Sequence, residues 1–197
     1  MLIEHRGSVP VVSETAFVAS TAVVSGAVTL GDGVRVLHGA VLCAEDGAIQ
    51  IETNSIIMEN ALVRGRAGHD VRIGHSVMVG PHAHINGAVI EDGAFIATGA
   101  SVFPGSVIGA GAEVRINAVV QVNTTVAAGT VVPIGWVAVG DPATLFSPDR
   151  HDEIWKIQQT LNFVGTVYGI GPETTMRDLM SQQSDYYGAH RDDRVVE

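Results

Sequence analysis

The chain has little cysteine and few basic residues. Its single cysteine, Cys43, excludes an internal disulfide and is consistent with a reducing compartment. Lysine and arginine total 11 against 21 aspartates and glutamates, which gives a net charge of −10. That charge opposes binding to the phosphates of nucleic acids and to acidic membrane surfaces.

Long apolar runs are also missing. Hydrophobic residues make up 46% of the chain, yet no run reaches the roughly 18 to 20 apolar residues of a membrane span. The N-terminal MLIEHRGSVP carries an acid and a proline where a signal peptide has a basic start and a continuous apolar segment. We therefore expect a cytoplasmic protein with no membrane or nucleic-acid partner.

The chain contains instead a six-residue repeat, which is clearest between Val71 and Ser101. A branched aliphatic residue recurs at steps of six, with few exceptions, and a mostly small residue lies two positions before it. This pattern is typical of short strands whose alternate side chains point inward. The aliphatic positions are Leu30, Val36, Leu42, Ile51, Ile57, Val63, Ile73, Val79, Ile85, Ile90, Ile96, Val102, Ile108, Val114, Val120, Val126 and Val132.

A period of six excludes an α-helix, and the recurring Gly, Asn and Asp supply a turn after every short strand. Three units would close one triangular coil, and stacked coils would pair their strands in parallel. We predict an all-β solenoid, a parallel β-helix of about seven coils over Val12 to Val139, within a domain of residues 1–143. Residues 1–11 should form a leading strand or cap, because the end of a solenoid exposes unpaired backbone.

Two insertions interrupt the repeat. The step from Leu42 to Ile51 is nine residues, and the step from Val63 to Ile73 is ten. Both follow the same face of successive coils, so they should bulge from one edge of the prism. Stacked edge loops are where a solenoid usually carries its site.

Residues 144–197 are predicted to be a C-terminal helical extension. Ser147 and Pro148 suit an N-cap and a first helical residue, and the apolar spacing predicts a helix over 148–164. A second, weaker helix is predicted over 173–187. The final YYGAHRDDRVVE is expected to be solvated.

The span from Val12 to Ala143 resembles the γ-class carbonic anhydrase-like family of hexapeptide-repeat proteins. The resemblance lies in the order of the coils, the two edge loops, the GAGAEV segment and the closing VGDPA. It implies that the β-helix is left-handed. It also implies a homotrimer that binds zinc between subunits through three histidines.

The three family histidines are replaced here by Arg64, Pro81 and Asn86, and the family's Arg-Gly-Asp corresponds to residues 43–45. A histidine nevertheless lies close to each vacancy: His69 in the second edge loop, His82 after Pro81, and His84 on the same strand as Asn86. The resemblance therefore predicts a shifted Zn²⁺ site formed by these three, with at least one ligand from a neighbouring chain and an open position for water.

The first functional hypothesis is a zinc enzyme that uses metal-bound water on CO₂ or another small substrate. Glu45 or Glu59 would transfer the proton, and Arg64 would orient an anionic substrate or product.

Two alternatives stay open. The first is an acyl-CoA transferase or thioesterase, for which His84 could serve as the base. The second is a non-catalytic trimer that binds a partner or a small ligand, since a fold does not fix a function.

Overall fold

The computed structural model describes residues 1–171 and 173–196. Short strands alternate with tight turns up to residue 146, and helices follow. The strands of these residues, in chain order, are β1 (Leu2–Glu4), β2 (Val11–Val12), β3 (Phe17–Val18), β4 (Val23–Leu30), β5 (Arg35–Val36), β6 (Val41–Ile51), β7 (Ile56–Ile57), β8 (Leu62–Gly65), β9 (Val71–Ile73), β10 (Met78–Val79), β11 (His84–Asn86), β12 (Val89–Ile90), β13 (Phe95–Ile96), β14 (Ser101–Val102), β15 (Val107–Ile108), β16 (Glu113–Val114), β17 (Val119–Val120), β18 (Thr125–Val126), β19 (Val131–Val132), β20 (Val137–Val139), β21 (Thr144–Phe146) and β22 (Arg194–Val195).

The strands form the three faces of a left-handed parallel β-helix. The second face is a seven-stranded sheet, β3-β5-β7-β10-β13-β16-β19. The first face (β2, β9, β12, β15, β18) and the third face (β1, β8, β11, β14, β17, β20, β21) share one sheet, because β4 and β6 continue around the corner between them. Since β1 and β21 lengthen the third face, the solenoid reaches about eight turns, close to the seven coils predicted.

The core is formed by the aliphatic residues that the six-residue repeat predicts to point inward. Each aliphatic position of the repeat is at most 2% exposed, and together they form one continuous cluster along the axis. The register between coils is parallel, as in the column of Ile73, Ile90 and Ile108 on the first face. The prediction that the side chains of Val79, Ile85 and Ile96 point into the core is therefore confirmed. Burying one such side chain contributes about 1.5 to 3 kcal/mol relative to leaving it in water.

The corners of the prism use left-handed backbone. Asn54, Asn60 and His82 have φ between 57° and 60°, a conformation that asparagine tolerates better than most residues. His82 therefore stands at the corner between the second and third faces, where the chain turns from β10 into β11.

The helices are shorter than the sequence predicts. They are α1 (His151–Gln158), α2 (Phe163–Tyr168), α3 (Met176–Tyr187) and a 3-10 turn (Gly188–Asp192). Helix α1 begins at His151 and not at Pro148, after a turn in which Arg150 N–H donates to the Ser147 carbonyl (3.1 Å), so Ser147 is not its N-cap. The predicted helix 148–164 breaks because Asn162 takes a left-handed conformation and caps α2 through Gly165 N–H. No helix in the described ranges is long and apolar enough to cross a membrane.

The expectation of a solvated tail is wrong for residues 186–190 and for Asp193, which are partly buried. Arg191, Asp192 and residues 194–196 are exposed, as expected, and Glu197 lies outside the described residues. Strand β22 pairs antiparallel with β1, through Ile3 with Val195 and Glu4 with Arg194. Residues 186–190 are half-buried against the edge of the prism. The C-terminal extension thus closes the leading strand that residues 1–11 provide, so the two chain ends form one cap.

Candidate functional site

Three chain excursions stack at the corner between the third and first faces. The N-terminal one is a tight loop closed by hydrogen bonds between His5 and Ser8, and the last is closed in the same way between Arg66 and His69. Between them, the bulge of β6 carries Gly47, where a Cβ would lie 2.4 Å from the Arg66 carbonyl oxygen. Only glycine fits this approach. The two predicted insertions therefore lie on one edge, as expected.

Glu45 is the centre of a buried polar cluster at this corner. It is 3% exposed. Its Oε1 accepts a hydrogen bond from the Cys43 thiol (3.3 Å) and lies 3.8 Å from Arg64 Nε. Its Oε2 faces two imidazoles, with His190 Nε2 at 3.1 Å and His5 Nε2 at 3.8 Å.

Asp193 holds both of these imidazoles from the other side. Its Oδ1 lies 2.6 Å from His5 Nδ1, and its Oδ2 lies 2.9 Å from His190 Nδ1. The two rings are stacked, with centroids 4.3 Å apart. Partial burial opposes ionisation of Asp193, but the hydrogen bonds to His190 and His5 outweigh it and hold the pKa of this carboxyl below its ordinary value.

The Cys43 thiol lies next to this cluster and is buried. Burial, reinforced by the negative charge of Glu45 and the hydrogen bond to it, raises the pKa of Cys43 to about 12. A thiol with that pKa is protonated at neutral pH, and the thiolate is the nucleophilic form. The geometry therefore gives Cys43 no role as an acyl-accepting nucleophile.

Tyr186 docks the C-terminal segment on the stacked loops. Its hydroxyl donates to Asp46 Oδ1 (2.6 Å), and two guanidinium groups lie over its ring, Arg66 at 4.7 Å and Arg6 at 5.2 Å from the centroid. Burial raises the pKa of Asp46, but the hydrogen bonds from Tyr186 and from the Ala67 N–H prevail and lower it overall. An ionised Asp46 thus accepts bonds from both the loop and the tail.

A cavity of about 880 Å³ opens beside the cluster. Its lining includes Arg64 and His190 of the cluster, together with Tyr168 of α2, Tyr187 of α3 and Arg191. Arg64 reaches the Tyr187 hydroxyl at 3.4 Å and lies over its ring at 5.7 Å. Two arginines in a wide cavity can bind an anionic ligand.

His84 projects outward from β11 on the third face. It pairs in register with Leu62 of β8 and Ser101 of β14, and its ring meets Phe103 edge-on at 6.0 Å. Burial, with a smaller contribution from the positive charge of Arg64, lowers the pKa of His84 below its ordinary value of 6.5. The imidazole is therefore neutral at pH 7 and can accept a proton.

The predicted zinc ligands do not meet within one chain. His82 lies at the corner between the second and third faces, His69 at the corner between the third and first, and His84 on the strand between these corners. Within the described residues, the single set of three His, Cys, Asp or Glu side chains with ligand atoms within 4.8 Å of one another is His5, Glu45 and His190. A site formed by His69, His82 and His84 would need a neighbouring chain, and it stays a prediction.

The predicted catalytic residues are divided between two corners. Glu45 and Arg64 face each other in the cluster, but Glu59 lies one coil below His82, whose N–H donates to the Glu59 carbonyl (3.0 Å). Sequence reasoning missed His5, His190 and Asp193. All three lie outside the repeat, so the periodicity carried no signal about them, and only their position in polar segments at the two chain ends hinted at a role.

Comparison with known proteins places the chain by fold. It matches no protein-family model and no curated protein. Among solved structures, it is similar to a candidate acetyltransferase from Bacillus cereus, with a TM-score of 0.57, 18% identity, and coverage of 80% of this chain and 90% of that one. It is also similar to LpxA, a UDP-N-acetylglucosamine acyltransferase from Bacteroides fragilis, with a TM-score of 0.52, 16% identity, and coverage of 87% and 77%.

These findings correct the first functional hypothesis. The resemblance holds for the hexapeptide-repeat, left-handed β-helix fold. The interpretation as a zinc-dependent carbonic anhydrase is wrong, because the two solved structures named above, which share this fold, are an acyltransferase and a candidate acetyltransferase. The physical reason is that a hexapeptide register specifies the coil and its turns, and these are common to proteins with different chemistries.

Proposed function

We propose that the protein is an acyltransferase that moves an acyl group from a coenzyme A thioester to a hydroxyl or amine of a small acceptor. The observation that carries the proposal is His84, a neutral imidazole that projects outward from the third face beside the Arg64 guanidinium. The acyltransferases among structures of similar fold support the same class of chemistry.

His84 would act as the general base. It takes the proton from the acceptor hydroxyl or amine while that atom attacks the thioester carbonyl. The carbon–sulfur bond then breaks, the acyl group stays on the acceptor, and the sulfur of coenzyme A leaves and takes up a proton. A base with a lowered pKa is unprotonated at neutral pH, so it is ready for this step.

Arg64 and Arg191 would bind negative charge in the large cavity. Coenzyme A carries phosphates, and guanidinium groups bind phosphate through paired hydrogen bonds. Because the chain has a net charge of −10, attraction by the whole molecule is excluded, and these local arginines must supply the binding. Arg64 connects the two parts of the site, since it lines the cavity and also acts on His84.

A homotrimer is part of this proposal. The second face exposes large apolar side chains on its two-residue strands, with Phe17 at 49%, Met78 at 40% and Val131 at 43% exposure. Unpartnered apolar surface of this kind marks a protein interface. The groove beside the third face would then lie between subunits. A cytoplasmic location is also part of the proposal, because Cys43 is a buried free thiol.

The test is an acyl-transfer assay that follows release of the coenzyme A thiol. Acetyl-CoA and longer acyl-CoAs are offered with UDP-N-acetylglucosamine, amino sugars and small alcohols as acceptors, and calorimetry measures coenzyme A binding. His84→Gln should lower kcat by about 100- to 10,000-fold, because it removes the base, while coenzyme A affinity changes by less than about threefold.

The matched control is His82→Asn. It removes a nearby exposed imidazole and keeps a residue that tolerates the left-handed corner. This variant should retain wild-type activity. The proposal is wrong if wild-type protein binds no coenzyme A at millimolar concentration, or if His84→Gln is fully active.

A further inference from the structure

The two chain ends bring three metal-ligand atoms to one point. One ligand atom from each of His5, Glu45 and His190 lies within 4.8 Å of the other two, and Glu45 Oε2 faces the Nε2 atom of both rings. His5 comes from the N-terminal loop, Glu45 from the bulge of β6 and His190 from the 3-10 turn after α3. No step of the proposed acyl transfer uses this cluster.

We propose that His5, Glu45 and His190 are the ligands of a divalent transition-metal ion, and that this ion is Zn²⁺. Two atoms that each lie about 2.05 Å from a tetrahedral zinc are about 3.3 Å apart. The observed separations from Glu45 Oε2 are 3.1 Å to His190 and 3.8 Å to His5. Small rotations of these side chains bring all three atoms into range.

The outer contacts of the cluster match those of metal-binding histidines. Asp193 faces Nδ1 of both rings, at 2.6 Å from His5 and 2.9 Å from His190. If both Nδ1–H groups donate to this carboxylate, the Nε2 lone pairs of both rings point at Glu45. A carboxylate behind a ligating histidine fixes the tautomer and increases its basicity as a ligand. Here a single aspartate does this for two ligands.

His5 supplies an independent indication of a ligand. The residue is 1% exposed, and its Nε2 has no hydrogen-bond partner among residues 1–171 and 173–196. Buried polar atoms are almost always paired. The unpartnered nitrogen is aimed at Glu45, and a lone pair that faces an anionic oxygen is repelled unless a positive charge lies between them. A bound cation supplies this charge.

The donor set selects the type of ion. Two imidazole nitrogens and one carboxylate oxygen suit zinc and its neighbours, while Mg²⁺ and Ca²⁺ prefer sites made of oxygen ligands. The opposite oxygen of Glu45 is held by Cys43 and faces Arg64, so the carboxylate presents a single oxygen to the ion. The His190 side chain is 35% exposed toward the cavity, which leaves an entry path and room for a fourth ligand.

Such an ion would link the two chain ends. One ligand lies in the N-terminal loop after β1 and another follows α3, so binding requires the C-terminal segment to be docked. Zinc should therefore stabilise the docked segment by mass action.

The test uses the full chain, expressed without a histidine tag and dialysed against a chelator that is then removed. Calorimetry with Zn²⁺ should give one equivalent per chain, and Co²⁺ should give the intense visible absorption of a tetrahedral site. His190→Ala should weaken Zn²⁺ binding at least 100-fold. Asp193→Asn should weaken it 10- to 100-fold, as expected for a residue that orients two ligands.

His75→Asn is the control, because it removes an exposed histidine at the corner between the first and second faces, outside this cluster and outside the predicted His69, His82 and His84 site, and it should keep wild-type affinity. Circular dichroism checks that each variant keeps the β-helix. The proposal is overturned if the wild type binds less than half an equivalent, if His190→Ala binds as the wild type does, or if His75→Asn loses the metal. It is also overturned if histidine side-chain NMR in excess Zn²⁺ shows both His5 and His190 doubly protonated, because the cluster is then a pair of imidazolium ions held by two carboxylates.

Discussion

At the residue scale, two half-buried histidines differ in what their ring nitrogens face. His84 lies against Phe103 and close to Arg64, so burial and a positive charge both favour its neutral form. His190 has a carboxylate at each nitrogen, Glu45 at 3.1 Å and Asp193 at 2.9 Å. A base needs a free lone pair, whereas a metal ligand needs an orienting partner. The first environment suits catalysis and the second suits ligation.

The role of Arg64 in setting the pKa of His84 can be measured without any substrate. Arg64→Gln removes the positive charge and should raise the pKa of His84, while Arg64→Lys keeps the charge and should leave it close to the wild-type value. An NMR titration of the histidine ring checks both variants. In the acyl-transfer assay, the acid limb of kcat/KM should shift to higher pH for Arg64→Gln.

The lowered pKa of His84 also determines how the stability of the fold changes with pH. The folded pKa of His84 is below the unfolded value of 6.5, so the unfolded chain takes up a proton that the folded chain resists. His84 should therefore reduce the free energy of unfolding as the pH falls below 6.5, and His84→Gln should remove this dependence. A His84 that titrates above 6.5, or a lower pKa in Arg64→Gln, would contradict this interpretation.

At the element scale, the segment from α3 to β22 is held mainly by the side chain of Tyr186 and by the pairing of β22 with β1. Tyr186 bonds Asp46, with Arg6 and Arg66 over its ring, and β22 pairs with the edge of β1. Helix α3 itself buries one residue, Leu179. A helix with so little buried surface depends on such anchors for its position.

Removing one anchor should loosen this segment and leave the β-helix unchanged. Tyr186→Phe keeps the ring that the two arginines lie over but deletes the hydroxyl that donates to Asp46, which should cost about 1 kcal/mol. Hydrogen exchange, measured in chelator, should show faster exchange of the amides of α3 and β22 and unchanged exchange in β11 and β14. Tyr168→Phe, on an exposed tyrosine, is the control. Equal protection in Tyr186→Phe and wild type would show that the hydrogen bond does not hold the segment.

At the scale of the whole molecule, the faces of the prism differ in what covers them. The corner between the third and first faces carries the loops and the C-terminal cap, and Phe103 on the third face packs against Phe163 of α2. The second face has no such cover from the described residues at Phe17, Met78 and Val131. That difference is what makes the second face the candidate subunit interface.

We expect a homotrimer that a charge on the second face disrupts. Light scattering of the wild type at micromolar concentration should give three times the mass of one chain, which is 20.6 kDa. Met78→Lys places a charge in the apolar face and should shift the mass toward the monomer, since an unpaired buried charge is costly. Thr29→Lys, an exposed substitution on the first face, should leave the trimer intact. A monomeric wild type would refute the assembly.

The sequence by itself determined the solenoid. A branched aliphatic at every sixth position has one low-energy arrangement, because a strand exposes alternate side chains and each turn resets the direction. Positions such as Ile73, Val79 and Ile85 therefore reported the core directly. The two edge loops and the outward position of His84 followed from the same register.

Only the tertiary structure decided which residues meet at the corner. His5 and Asp193 are 188 positions apart, yet their side chains are 2.6 Å apart. A local period describes neighbours along the chain and between adjacent coils, but the docking of two termini depends on the path of irregular segments, which leaves no periodic signal. The shared register also could not separate chemistries, because the same inward aliphatics hold the coils together whatever the outward side chains do.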